Sequence, residues 1–359
     1  MSRGPALDET ERRERQQAAR RSLSKSKTVA FSFSLLAFST AVVVAGGEGL
    51  ARLKGFKPWT PHQAPTLRVE PGGALGATDP ALGHRYLPGR FVVTLADGYS
   101  FRVTHLENTL RITRPLSAYG QPRPLGQVWI FGCSFTHGWA LNDEETYPWL
   151  IQEQLPAHDV VNFGVGGYGT LHSLIQFREA LRKGPPPRIA VLSYASFHDT
   201  RNTLNRDRLK ALVPGVPKGH LALVPSGRIG PDGGLETFMA DADYRAWPLQ
   251  RHLAFVHLLE ERFNRREQVR VESHRISRSI VAEFRKLADQ RGARLVVAGI
   301  FRDRDTKAML DHAASEGMES VDISVLNVAQ FKSLPHDRHP NARANRRFAA
   351  RLAAQLRRD

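Results

Sequence analysis

The chain has 359 residues, 41% of them hydrophobic and 24% charged, with 22 prolines and 29 glycines spread along it. This is the composition of a globular protein with one large domain or two small ones. A formal charge of +16 would suit a polyanion, but the bases are scattered, largely as arginine, without zinc-finger spacing or an RNP-type aromatic signature. Nucleic-acid binding is therefore not predicted. A single cysteine, Cys133, excludes an internal disulfide and leaves the compartment open.

In chain order, residues 1–27 form a basic tail with eight Lys/Arg and four Asp/Glu. Residues 28–47, "TVAFSFSLLAFSTAVVVAGG", carry no charge. That is the length a helix needs to cross a hydrocarbon core of about 30 Å. More bases precede this stretch than follow it, where Arg52, Lys54 and Lys57 stand. The positive-inside bias predicts a single-pass anchor in a bacterial inner membrane, with the N-terminus cytoplasmic and the bulk of the chain periplasmic or extracellular. A cleaved signal peptide ending near Val43-Val44-Ala45 is the alternative, and it leads to the same compartment.

Residues 48–79 are rich in proline and glycine and read as a linker. A small β-rich subdomain is predicted over 80–125, where "FVVTL" and "YSFRVTH" flank the turn "ADG" as a hairpin. Over 126–359 strand and helix signals alternate. The runs 128–131, 160–163, 189–194, 294–300 and, more weakly, 320–323 read as buried parallel strands. Amphipathic helices are predicted after Thr146, with Pro148 in the first turn, and over 170–183, closed by Gly184. Two more are predicted over 271–292 and 341–358. The expected fold class is α/β: a three-layer α/β/α sandwich around a five-stranded parallel sheet, preceded by the transmembrane helix and the β-rich subdomain. Residues 204–250 break the rhythm and read as an inserted loop region, a lid over the site.

Ligands of such sheets bind at the carboxyl ends of the strands. Four stretches fall there. "GCSFTHG" places Gly132, Cys133 and Ser134 just past the first strand of the sheet. "NFGVGGYGT" follows the second strand and offers backbone N–H groups from Gly164, Gly166, Gly167 and Gly169. These glycines also match a dinucleotide fingerprint, but the region where its acidic residue is expected, "PPPRIAVLSYA", has none until Asp199, so nucleotide binding is not predicted. "SFHDTRN" brings His198, Asp199 and Asn202 to the end of the third strand. "LPHDRHPN" supplies Asp337 and His339 before the last helix. An activated serine needs a base within hydrogen-bond reach and a group to orient that base, and Asp337 and His339 are the nearest match. No H-E-x-x-H or Cys/His ligand cluster is present, so no metal or other cofactor is predicted, and the G-x-S-x-G elbow is absent.

These four pieces, in this order over residues 126–358, resemble the SGNH/GDSL hydrolase superfamily, and the stretch "LNDEETYPWLIQEQL" looks like its membrane-anchored bacterial members. The resemblance implies Ser134 as nucleophile, His339 as base and Asp337 as its partner. It also implies an oxyanion hole of Ser134, Gly167 and His198. The implied chemistry is acyl-enzyme hydrolysis of an ester, with an acylated cell-envelope glycan or lipid as substrate. An O-acyltransferase or a non-catalytic binding module of the same fold are the alternatives. Three departures stand out. Cys133 replaces the family's first-block aspartate, and His198 replaces its oxyanion-hole asparagine. The fifth block is Asp-x-His, with His336 at the spaced position. Adjacent residues leaving a strand point in different directions, so one base serves Ser134 or Cys133, and the resemblance selects the serine.

Overall fold

The computed structural model describes residues 9–61, 67–121, 123–212 and 223–358. The chain divides into two compact units. The first holds the N-terminal sixty residues and 246–263. Its main element is helix α1 (Glu9–Leu53), of which Lys27–Leu53 is long and apolar enough to cross a membrane. Ala51 packs with Ala254, Leu258 and Phe255 in this unit, and the Phe255 N–H donates to Glu48 at 2.9 Å.

The second unit begins with a β-rich part: β1 (Arg68–Glu70), β2 (Gly76–Asp79), β3 (Gly83–Tyr86), β4 (Gly89–Thr94) and β5 (Ser100–His105). β4 and β5 form the expected hairpin, and β1 adds antiparallel to β4, while β2 pairs with β3. Strands β1 and β2 therefore lie inside the stretch read as a linker. Each is only three or four residues long. The surrounding prolines and glycines, which make the tight turns between such short strands, masked them.

Next come β6 (Gln127–Phe131), α2 (Ser134–His137), α3 (Tyr147–Gln154), β7 (Asp159–Asn162), α4 (Thr170–Lys183) and β8 (Ile189–Tyr194). They are followed by α5 (His198–Thr203), α6 (Arg206–Leu212), and the hairpin β9 (Leu223–Ile229) and β10 (Leu235–Asp241). The chain ends with α7 (Ala254–Arg270), α8 (Ser273–Gln290), β11 (Arg294–Gly299), α9 (Arg304–Ser315), β12 (Glu319–Asp322) and α10 (Ala342–Leu356). The insert read as a loop thus contains α6 and a regular hairpin, with 213–222 outside the described residues. Gly227 of that hairpin packs against Ile276 of α8. The glycines and proline of the β9–β10 turn hid its alternation.

The five strands of the large sheet run in the order β12-β11-β8-β6-β7, all parallel. Alternating side chains serve opposite faces. Trp129 and Phe131 pack with α4, α8 and α9, through Phe177, Phe284 and Met309. Val128 and Ile130 pack with α3 and α10, through Ile151 and Phe348. β7 lies on one side of β6 and β8 on the other, so the connections leaving β6 and β8 diverge. The crevice at that switch point is where such a sheet accepts a ligand.

Candidate active site

Ser134 is the first residue of α2, placed by the end of β6 in the switch-point crevice. From the loop before α10, His339 approaches it, with Nε2 at 2.9 Å from the Ser134 Oγ. His339 Nδ1 lies 2.5 Å from Asp337 Oδ1, and the same carboxyl oxygen accepts from the His339 backbone N–H at 2.6 Å. With Nδ1–H committed to the carboxylate, Nε2 faces the hydroxyl as an acceptor. The loop is pinned where Ser333 N–H donates to His339 O at 3.0 Å, and the Asn341 side chain caps α10. Burial by itself would raise the Asp337 carboxyl. The hydrogen bonds and charge of His339, with the Trp139 indole nearby, outweigh burial and hold the carboxyl below the usual range. His336 lies elsewhere, stacked on Tyr99 and bonded to Asp97 at 2.6 Å, so the carboxylate on His339 is Asp337.

The glycine-rich loop after β7 closes the other side. Gly164 sits where a Cβ would come within 2.3 Å of the His137 backbone nitrogen, so only glycine lets the loop lie against α2. Gly167 has φ +82°, a left-handed conformation that glycine adopts without strain. The β-rich part clamps this loop: His84 Nε2 donates to Gly166 O at 2.9 Å, and Tyr86 OH accepts the Gly166 N–H at 3.0 Å. Tyr168 OH donates in return to His84 O. Burial pushes the Tyr86 phenol up to about 12. With Gly166 N–H occupied, the amides of Ser134 and Gly167 have no protein acceptor among the described residues.

The third-strand residues separate into two groups. Asp199 accepts from Tyr194 OH at 2.6 Å and faces His274 at 2.9 Å, and Asn202 accepts from the Leu171 N–H at 2.9 Å. Both hold α4, α5 and α8 together. His198 is fully buried, its Nδ1 faces Thr170 Oγ1 at 3.4 Å, and its Nε2 has no partner. Burial, and then the charges of Arg201 and Arg208, drive this imidazole far below its ordinary value, so it is neutral. Cys133 is fully buried and packs on the α3/α10 face of the sheet, while His339 Nε2 faces Ser134 Oγ.

Sequence reasoning missed the support behind Ser134. Arg111, fully buried, places all five N–H donors: Asp143 at 2.8 Å and the carbonyls of His137, Gly138, Arg102 and Leu141 at 2.7–3.0 Å. It ties β5 to the end of α2. Beside it, His105 Nδ1–H donates to Leu87 O at 2.9 Å, so its Nε2 accepts from His137 Nε2–H at 3.0 Å. Both rings pack against Tyr86.

Four buried histidines, His105, His137, His172 and His198, and the half-buried His84 are all depressed by burial first, with nearby Arg111, Arg201 or Arg208 adding to it, His105 down to about 3. In the unfolded chain they titrate near 6.5. Between those values the unfolded state binds more protons, so stability is full above about pH 6.5 and falls as pH drops toward about 3. Thermal unfolding followed from pH 6.5 down to about 5.5, above the ordinary glutamate value of 4.5, is expected to show a continuous fall in midpoint. A flat profile would contradict neutral burial of these rings.

No protein-family model matches the chain, and no curated protein matches it in sequence. Among solved structures, the chain is similar to a lipolytic protein of the G-D-S-L family from Veillonella parvula, at 10% identity and a TM-score of 0.38, over 65% of this chain and 99% of that one. It is similar to an acetyl xylan esterase from Butyrivibrio proteoclasticus at 12% identity and a TM-score of 0.35, over 64% and 63% of the two chains. A psychrotrophic esterase from Pseudoalteromonas matches at 11% identity and a TM-score of 0.36, over 64% of this chain and 96% of that one.

Proposed function

We propose that this chain is a serine-dependent ester hydrolase of the SGNH/GDSL type. The observation that carries the reading is the Ser134–His339–Asp337 relay, with its 2.9 Å and 2.5 Å contacts at the switch point of the sheet. His339 Nε2 takes the Ser134 proton as Oγ attacks the ester carbonyl carbon. The imidazolium, stabilised by Asp337, then protonates the departing alcohol. Water, deprotonated by the same nitrogen, attacks the acyl-enzyme and releases the acid. The unpartnered amides of Ser134 and Gly167 suit the oxyanion.

His198 completes that hole in this reading. This role requires the proton of the neutral ring on the unpartnered Nε2, with Thr170 OH donating to Nδ1. His198→Ala is expected to lower kcat by about a hundred- to a thousandfold with a small change in KM. His198→Asn keeps a donor and is expected to retain most of the activity. An alanine variant as active as wild type would remove His198 from the mechanism.

Phe135, Phe197 and Phe301 form an aromatic group beside the imidazole, with the Phe135 and His339 ring centres 5.6 Å apart. This group suits the acyl portion. The apolar N-terminal helix supports anchoring in the inner membrane, with the site on its outer side, and so an acylated envelope glycan or lipid as substrate. Acyl release from para-nitrophenyl acetate, measured with and without glycan oligomers, tests the reading. Release independent of every acceptor is expected. Acceptor-dependent acetyl transfer would make the protein an O-acyltransferase, and no turnover by a folded sample would contradict an enzyme.

A further inference from the structure

The candidate oxyanion loop is ringed by two guanidinium groups that the relay does not use. Arg201 Nη1 donates to Tyr168 O at 2.7 Å, and Arg208 Nη2 donates to Gly167 O at 2.9 Å. The two carbonyls are consecutive in the chain, so both cations converge on the backbone that presents the Gly167 amide. A Cβ at Gly167 would lie only 3.3 Å from Arg208 Nη2. Arg201 also covers the Phe197 ring at 4.6 Å, and its guanidinium lies beside Cys133, the residue preceding Ser134.

Arginines in this protein are otherwise commonly neutralised: Arg85, Arg111, Arg114 and Arg294 each have a carboxylate within reach. Arg201 and Arg208 have none among the described residues. Both are only half-buried, so part of each residue is open to solvent and to an ion from solution. Burial lowers the Arg208 guanidinium to about 9, and the charge of Arg201 adds to the effect. Holding two like charges together in a partly desolvated place is unfavourable unless something negative joins them. A neutral ester leaves that unbalanced; an anionic one does not.

We infer that Arg201 and Arg208 form a subsite for a negatively charged group, so that the ester acted on at Ser134 carries a carboxylate or phosphate on its acyl or alcohol part. The inference rests on the hydrolase reading for the identity of the ligand as an ester. The geometry of the anion subsite stands apart from it. An arginine pair offers several parallel N–H donors, which matches the planar or tetrahedral oxygens of such a group.

The test compares anionic and neutral esters of related skeleton on the full-length protein. For the acyl part the pair is para-nitrophenyl hemisuccinate against para-nitrophenyl butyrate. For the alcohol part it is acetoxybenzoate against phenyl acetate. In wild type, kcat/KM is expected to favour the anionic ester in one of the pairs, and the favoured pair locates the charge. In Arg201→Gln and in Arg208→Gln the anionic-to-neutral ratio should fall about ten- to a hundredfold. Arg208→Lys keeps a charge and should keep most of the preference. A purely structural role would slow both esters together, and a ratio unchanged in both pairs would overturn the subsite while leaving the hydrolase intact. Should no ester turn over, calorimetry with succinate and with inorganic phosphate decides. Saturable binding that Arg208→Gln abolishes supports the subsite, and no binding overturns it.

Discussion

Ser134→Ala is expected to cost about ten-thousandfold or more in kcat on any ester the protein turns over, and His339→Ala a loss of the same order. The two effects should not add. In the proposed relay the hydroxyl and the imidazole act as one unit across their 2.9 Å contact, and removing either partner leaves the other without a task. The double variant should therefore be about as slow as either single one. Asp337→Ala should lose less, because the His339 ring keeps its packing against Phe135 while losing the carboxylate that fixes its tautomer. Melting temperatures of the serine and histidine variants should stay near wild type, because Ser134 is small and His339 is only half-buried, and neither belongs to a hydrophobic core cluster. Cys133→Ser is the useful contrast: it disturbs a fully buried packing position next to Ser134, and it should cost stability before it costs chemistry.

The largest stability effect is expected at Arg111. Its side chain is fully buried and every donor is bonded, so Arg111→Met strips partners from Asp143 and from four backbone carbonyls at once. Breaking a buried ion pair on one side leaves an uncompensated charge and typically costs about 3–5 kcal/mol. The loss should appear as a lower denaturant midpoint. It should bring reduced activity in the fraction that remains folded, because Arg111 holds the carbonyls of His137 and Gly138 at the end of α2, the element that begins with Ser134. A variant within about 1 kcal/mol of wild type would show that the β-rich part does not brace the site.

How far the sequence anticipates this structure depends on the kind of signal each element leaves. Four of the sheet strands carry apolar runs bounded by turns, so β6, β7, β8 and β11 fall where those runs are, whereas β12, Glu-Ser-Val-Asp, leaves only a weak trace. Helices α4, α8 and α10 carry a clear apolar stripe. α9 does too, through Met309, Leu310 and Ala313, but it is short and crowded with charge, which blurs the stripe in the sequence. α7 is polar on most of its surface and shows almost no stripe. The residues Ser134, Asp337 and His339 are legible because each lies in a compact motif at the end of an element. Arg111, His84, Arg201 and Arg208 are not. Each is a lone polar residue whose partner lies tens of residues away, as Gly166 does from His84, and neither periodicity nor local spacing encodes such a meeting.

The distinction also explains the misread linker and insert. Proline and glycine punctuate loops, but they also make the turns of short hairpins, and β2–β3 and β9–β10 use them in that second way. Those hairpins have a structural consequence at the site: β3 supplies the histidine and tyrosine that hold the glycine loop, so the stretch that looked least ordered helps fix the Gly167 amide.

The central claim is that the Ser134 hydroxyl is made nucleophilic by His339. Treatment of the full-length protein with a fluorophosphonate, followed by peptide mass spectrometry, tests it most directly. The account predicts one phosphonyl adduct, on Ser134, lost in Ser134→Ala and strongly slowed in His339→Ala. A folded protein that takes up no label, or takes it up at another residue while Ser134 stays unmodified, would contradict it.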